Sequence, residues 1–267
     1  MPIESNTLTP SPFSVVAIIQ ARMNSSRLPQ KSTKLLAGKP ILAHIIERAF
    51  SMKHVEHVIV ATGNEHDNQP ILSLAREMGA VPFSGSDEDV LQRFTNAARI
   101  FNSDFIIRIT GDNPFTDTEY GTMAIEHAFE TKADLSSVIN IPLGTAIELV
   151  KTTALYRAFD EATQRHQHEH VTPYIKENPD LFTIIRKPVT IYNMIPDLRL
   201  TIDTPEDFEF ASHIYNALYR GKPFSLHHVL NFLRINRQLL TINRNIRQRP
   251  MTHVDTGMHE LYPSHNM

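Results

Sequence analysis

Strand-length apolar runs alternate with segments of helical period from Ser14 to about residue 110, and no other feature of the chain limits its fold as much. SVVAIIQ (14–20) is continuous and rich in β-branched residues, the pattern of a strand buried on both faces. PILAHIIERAF (40–50) carries Ile41, His44, Ile45 and Arg48 at helical spacing, with Pro40 at the first helical position. HVIVAT (57–62) is the next strand, and QPILSLAREMG (69–79) a helix closed by Gly79. AVPFS (80–84) and DEDVLQRFTNAARIF (87–101) repeat the pair, and DFIIRIT (104–110) is a further buried strand. Four alternations within about a hundred residues predict an α/β fold, a Rossmann-like, doubly wound, mainly parallel sheet with helices on both faces.

The rhythm loosens between about residues 133 and 200. ADLSSVI and TAIELV predict strands, TTALYRAFDEA and EHVTPYIKE helices, and FTIIRK with VTIYNMI a hairpin. This stretch is expected to be an insertion, roughly 135–195, or a second half built onto the same sheet. LRLTID (198–203) returns as a strand and TPEDFEFASHIYNALY (204–219) as a helix. FSLHHVLNFLRI follows as an amphipathic helix with Leu226, Val229, Leu230 and Leu233 on one face. Residues 1–13 are expected to form a flexible arm, 14–243 one domain, and 244–267 a disordered tail.

Composition serves mainly to exclude. With no cysteine, thiolate nucleophiles, disulfides and cysteine-based zinc sites are ruled out. A net charge of -3 does not suit a nucleic-acid binder, which is usually strongly basic. No apolar run approaches the roughly 18 residues of a membrane span, and the first residues lack the basic start and apolar centre of a signal peptide. A soluble cytoplasmic protein is expected.

Charge is nevertheless uneven. Between Glu4 and Glu47 there is no acid, while Arg22, Arg27, Lys31, Lys34 and Lys39 follow the first strand. In open α/β sheets ligands bind beyond the carboxyl ends of strands, where strand order reverses. Three segments fall at such ends: the loop 21–34, TGDNP (110–114) and IDTPED (202–207). The loop supplies cations and the other two supply Asp112 and Asp203. Cations with two separate carboxylates suit a phosphate chain bound with Mg²⁺, which takes one or two carboxylates and completes its shell with phosphate oxygens and water.

Each segment alone has a structural explanation. A basic loop is most often a solvated surface, GDNP is a turn, and Thr204, Pro205 and Asp207 form a helix start. That start leaves Asp203 unexplained. Neither a GxGxxG nor a P-loop sequence is present. SDEDV (86–90) holds Asp87 and Asp89, which could serve a glycosyltransferase as a metal pair or simply open a helix capped by Ser86. His166, His168 and His170 alternate, which on a helix scatters them and argues against zinc.

In this order, the segments resemble the cytidylyltransferases that activate acidic sugars, the 3-deoxy-manno-octulosonate (Kdo) and sialic-acid-type enzymes. The likeness is closest to the spore-coat polysaccharide biosynthesis branch, and it covers about residues 14–240. Its most specific part, IIQARMNSSRLPQKSTKLLAGKPILAHIIER, resembles the signature Q-A-R-x-x-S-x-R-L-P-x-K. ATGNEHDNQPI, GSDEDVLQRF, IIRITGDNPF, EHVTPYI and LRLTIDTPEDFE follow at similar intervals.

The resemblance implies an Mg²⁺-dependent transfer from CTP to an acidic sugar, giving a CMP-sugar and pyrophosphate for surface polysaccharide biosynthesis. It implies that Arg22 and Lys31, with Arg27 nearby, hold the triphosphate and that Asp112 and Asp203 hold the metal. Ser86 and Arg93 would line the nucleotide pocket, and Glu148, Glu169 and His170 would meet the sugar. A homodimer paired through the insertion is a further expectation. Gln30 departs from the glycine that usually precedes the motif lysine, and glycine permits backbone conformations that glutamine resists. The competing expectations are a nucleotide-sugar-dependent glycosyltransferase using Asp87 and Asp89, and a non-catalytic nucleotide-binding protein whose loop Gln30 has disabled.

Overall fold

A computed structural model describes residues 13–191 and 194–248. The first strand, β1 (Val15–Gln20), is buried along nearly its whole length and becomes a central strand of the sheet. After it a single 3-10 turn and a small hairpin, β2 (Leu35–Leu36) with β3 (Lys39–Pro40), lead into α1 (Ile41–Phe50). Pro40 caps α1 rather than occupying its first turn. The chain continues through β4 (Val55–Thr62), α2 (Gln69–Glu77), β5 (Val81–Ser84), α3 (Val90–Ala98) and β6 (Phe105–Thr110). Gly79 ends α2 at φ +75°, a conformation that suits glycine. The helix expected over 87–101 is shorter because Asp89, not Ser86, caps it, accepting from Gln92 N at 2.8 Å.

The second half adds α4 (Thr118–Thr131), β7 (Leu135–Ile139), β8 (Glu148–Lys151), α5 (Thr152–Glu161), α6 (Arg165–His170), α7 (Pro173–Glu177) and β9 (Ile184–Pro188). Last come α8 (Pro205–Leu218) and α9 (Leu226–Ile235). The seven-stranded sheet has the order β5-β4-β1-β6-β8-β7-β9. β1 pairs parallel with β4 and β6, whereas β8 runs antiparallel between β6 and β7. One face of the sheet packs on α1, α2, α4, α8 and α9, the other on α3, α5 and α7. The expected α/β architecture is therefore present, with a mainly parallel sheet covered on both sides.

Three sequence expectations fail locally. β9 pairs parallel with β7, and residues 189–191 and 194–197 form no strand, so no hairpin arises there. EHVTPYIKE is two helices, not one. Val171 between them sits at φ 72°, ψ -53°, and Thr172 N donates to His170 O at 2.9 Å, a tight γ-turn that interrupts the helix. Finally, LRLTID contributes only an isolated bridge, Leu143 to Arg199. It lies as an extended strap, with Leu200 N on Leu143 O and Ile202 N on Asp112 O, each at 2.8 Å. Gly144 makes this possible, since a Cβ there would lie 2.4 Å from Thr201 N. Residues 1–12 and 249–267, most of the expected arm and tail, lie outside the described residues.

Candidate active site

The order reverses at β1: the chain moves outward to β4 and β5, then returns to the other side of β1 with β6. The crevice past such a switch point is where α/β sheets bind ligands. Gln20 pairs with Thr110 there, so the basic loop leaves β1 beside the turn that leaves β6. Gly111 lets the two exits touch. Its N donates to Gln20 O at 2.7 Å, and a Cβ would lie 2.9 Å from that oxygen.

The loop from Arg22 to Gln30 wraps an open hollow of about 500 Å³. Met23 N donates to Asn68 Oδ1 at 2.9 Å, and Asn68 is itself anchored on Asn64 O at 2.8 Å. Gln30 adopts φ 55°, ψ 30°, the left-handed conformation a glycine would take, so the backbone follows that path despite the substitution. Arg22 is exposed at the loop's start.

Asp112 and Asp203 come together. Lys31 Nζ lies 3.2 Å from Asp203 Oδ1 and 3.7 Å from Asp112 Oδ2, and Arg27 lies 3.3 Å from Asp203 Oδ2. Burial alone would raise the Asp203 carboxyl, but Lys31, Arg27 and Arg199 outweigh it and hold it below its ordinary value. Thr110 donates to Asp112 Oδ1, and Asn113 donates to Thr110 Oγ1 at 2.8 Å. Two carboxylates thus converge on one cation position, filled here by an ammonium group. Gln20 Oε1 and Asn113 Oδ1, both buried acceptors, have no hydrogen-bond partner among the described residues. Two carboxylates meeting at one position fit a hard divalent ion that completes its shell with oxygens of a bound ligand or water.

The other expected residues separate into different roles. Ser86 Oγ accepts from Asp89 N at 2.9 Å, and Arg93 donates to Ser86 O, so both brace the 84–89 turn. Burial, with Arg22 nearby, lowers the Arg93 guanidinium to about 10. Asp89 spends one oxygen on its cap and the other on His168 Nδ1 at 2.9 Å, while Asp87 Oδ1 accepts from Asn64 N at 3.1 Å. Those contacts explain both aspartates without a metal. His166 lies 2.6 Å from Glu177, so it and His168 serve different carboxylates.

Glu148 pairs with Arg108 at 3.3 Å and with Lys176, and accepts from Thr172 Oγ1 at 2.8 Å. Desolvation alone would raise its carboxyl, yet Arg108 and Lys176 prevail and hold it low. Its charge is therefore already partnered, and the net charge of the trio is positive. Glu169 and His170 end α6 nearby, half-buried.

Sequence reasoning missed Arg199, a buried guanidinium 2.7 Å from Asp203 Oδ2. The available signal was an arginine inside an apolar segment, four residues before Asp203 and eight before Asp207. It missed Asn68 and Thr110 as well, whose roles depend on tertiary placement.

Residues 16–231 match the cytidylyltransferase family. The spore coat polysaccharide biosynthesis protein SpsF of Bacillus subtilis is 32% identical over 227 residues, 83% of this chain and 95% of that one. A 3-deoxy-manno-octulosonate cytidylyltransferase of Trichlorobacter lovleyi is 35% identical over 114 residues, 42% of this chain and 44% of that one. The solved structure of a cytidylyltransferase from Leptospira borgpetersenii superposes with a TM-score of 0.80 at 28% identity, covering 88% of this chain and 100% of that one. With a family match over residues 16–231 and a relative 32% identical over 83% of its length, the chain belongs to the cytidylyltransferase family.

Proposed function

We propose that the protein couples CTP to an acidic sugar, giving a CMP-sugar and pyrophosphate for surface polysaccharide biosynthesis. The observation that carries this is the convergence of Asp112 and Asp203 on Lys31, beside a cationic loop at the switch point. Asp112 and Asp203 would hold Mg²⁺, which when bound neutralises phosphate charge. Lys31 and Arg27 then exchange their carboxylate partners for phosphate oxygens, and Arg22 faces the outer phosphates from the rim of the loop. The sugar hydroxyl oxygen bonds to the α-phosphorus as the bond to the bridging oxygen of pyrophosphate breaks, and the hydroxyl proton passes to solvent. Positioning and charge neutralisation supply most of the rate in such transfers.

An acidic acceptor is favoured by the surplus positive charge of Arg108 and Lys176 over Glu148, and by the partial likeness to the Kdo enzyme. We infer a cytoplasmic reaction, a reading supported by the family's use of CTP; no helix among the described residues is long and apolar enough to cross a membrane. We also infer a homodimer paired through the 135–195 region. Its outer strand β9 is an open edge, with Ile139 and Leu143 exposed near it.

The test is pyrophosphate release from CTP and Mg²⁺ across a panel of acidic sugars, with no nucleotide-sugar supplied. CTP-dependent release that requires a sugar supports the proposal. Sugar transfer from a nucleotide-sugar without pyrophosphate, or CTP binding with no turnover across the panel, overturns it.

A further inference from the structure

We propose that Arg199 is a positioning residue for Asp203, and that the stretch after α9, Asn243 to Gln248, belongs to the same clamp. This rests on the role given to Asp203 above. Arg199 is 6% exposed, and its donors point at fixed acceptors. Nε reaches Asp207 Oδ1 at 3.0 Å and Nη2 reaches Asp207 Oδ2 at 3.2 Å, a bidentate fork. Nη2 also donates to Asp203 Oδ2 at 2.7 Å, and Nη1 to Gln248 Oε1 at 2.6 Å.

Asp207 is held just as firmly. Its Oδ2 accepts from Asp203 N at 3.0 Å and Thr204 N at 3.2 Å. Its Oδ1 accepts from Asn243 Nδ2 at 3.0 Å, and Asn243 Nδ2 lies 3.2 Å from Arg199 O. Asp203 is therefore fixed at both its backbone and its side chain. Oδ2 is held by Arg199 at 2.7 Å and shared with Arg27 of the loop at 3.3 Å, while Oδ1 is turned toward Lys31, the side on which Asp112 stands.

Capping α8 does not require this arrangement. Thr204 and Asp207 complete the capping box by themselves. A buried guanidinium between two carboxylates carries a large desolvation cost, and apolar groups of similar size often stabilise a fold as well or better. What the ionic arrangement adds is direction, since it fixes the rotation of the Asp203 carboxylate and with it the turn of Oδ1 toward Lys31 and Asp112. A lysine could neutralise the charge but could not fork across Asp207 while reaching Asp203.

The experiment titrates Mn²⁺ into the protein with saturating CTP and no sugar, by calorimetry, for wild type, Arg199→Lys, Arg199→Met, Asn243→Ala and Gln248→Ala. Thermal melts and steady-state kinetics accompany it. Both Arg199 variants should weaken Mn²⁺ binding about tenfold or more, the size of a lost charge-assisted contact. CTP affinity in chelator should change less than about threefold, and kcat should fall more than KM for CTP rises. Asn243→Ala should weaken Mn²⁺ binding measurably, and by less. A purely structural role would lower the melting temperature and leave Mn²⁺ affinity unchanged in folded protein, and that result overturns the proposal. If the Arg199 variants do not fold, unchanged Mn²⁺ affinity in both Asn243→Ala and Gln248→Ala overturns it instead. Failure of wild type to bind Mn²⁺ with CTP does so too. Wild type that binds both and makes no CMP-sugar refutes the acidic-sugar reaction and leaves the clamp standing.

Discussion

Lys31 stands between two carboxylates, so truncating it acts on both the ligand-free site and the transfer. Lys31→Ala should lower kcat/KM for CTP by about one to two decades, the equivalent of a charge-assisted contact worth roughly 1.5–3 kcal/mol. Arg22→Ala should act in the same direction, and mainly on KM for CTP, because its side chain is exposed at the loop rim. Unchanged kcat/KM in both variants would remove the loop from the reaction. Gln30 gives a different test. Its left-handed backbone costs a non-glycine residue about 1–2 kcal/mol, and a glycine there recovers most of that while adding disorder to the unfolded chain. Gln30→Gly should therefore leave activity nearly intact and shift the melting temperature by no more than about 4 °C. Gln30→Val, β-branched in the same conformation, should lower both stability and CTP affinity. Equal behaviour of the two variants would show that the loop backbone does not depend on this residue.

At the scale of elements, legibility followed the local signal. β1, α1 and the capping box of α8 were readable because burial, helical period and cap chemistry all act within a few residues. The γ-turn at Val171 was not, because nothing local favours a β-branched residue at positive φ. Tertiary contacts hold it there. Val171 is fully buried, and the turn delivers Thr172 to Glu148. The strap 198–203 misled for a related reason. Its apolar alternation resembles a strand, yet its backbone donors go to Leu143 and Asp112 instead of a sheet neighbour. The trio around Glu148 makes the element-scale prediction. Glu148→Gln leaves Arg108 and Lys176 facing each other without an anion across β6, β8 and α7. With the side chain 19% exposed, the loss should be about 2 kcal/mol, below that of a fully buried pair, and should lower the melting temperature by roughly 4–8 °C. Glu148→Asp, which keeps the charge, should lose less. A melting temperature unchanged in Glu148→Gln would mean that solvent already screens the two cations.

Across the whole molecule, what the sequence could not display was convergence. Lys31 and Asp203 are 172 residues apart and meet only because the sheet order and the strap bring them together. His44 shows the same long-range dependence in a form that pH can read. It is 2% exposed, its Nε2 donates to Leu36 O at 2.8 Å, and its ring packs on Tyr215 and Tyr219 of the α8 region. Glu47 lies 3.8 Å from Nδ1, and Lys39 and Arg48 add positive charge nearby. Burial dominates and lowers the imidazole from 6.5 to about 4, so the ring is neutral in the fold. The unfolded chain takes up its proton near 6.5, before the folded one does. The stability this group contributes is therefore complete above about 6.5 and is lost as pH falls toward 4, by up to about 3 kcal/mol. Asp203 and Glu148 have depressed values in the fold, so their contribution persists above 3.8 and 4.5 and falls only below those points. Between about pH 7 and about pH 5 the loss belongs mainly to His44 and should amount to about 2 kcal/mol in urea unfolding. His44→Gln can still donate to Leu36 but cannot titrate. It should be less stable at neutral pH and lose much less on acidification. If wild type and His44→Gln lose stability equally over that range, the acid sensitivity of this fold lies elsewhere.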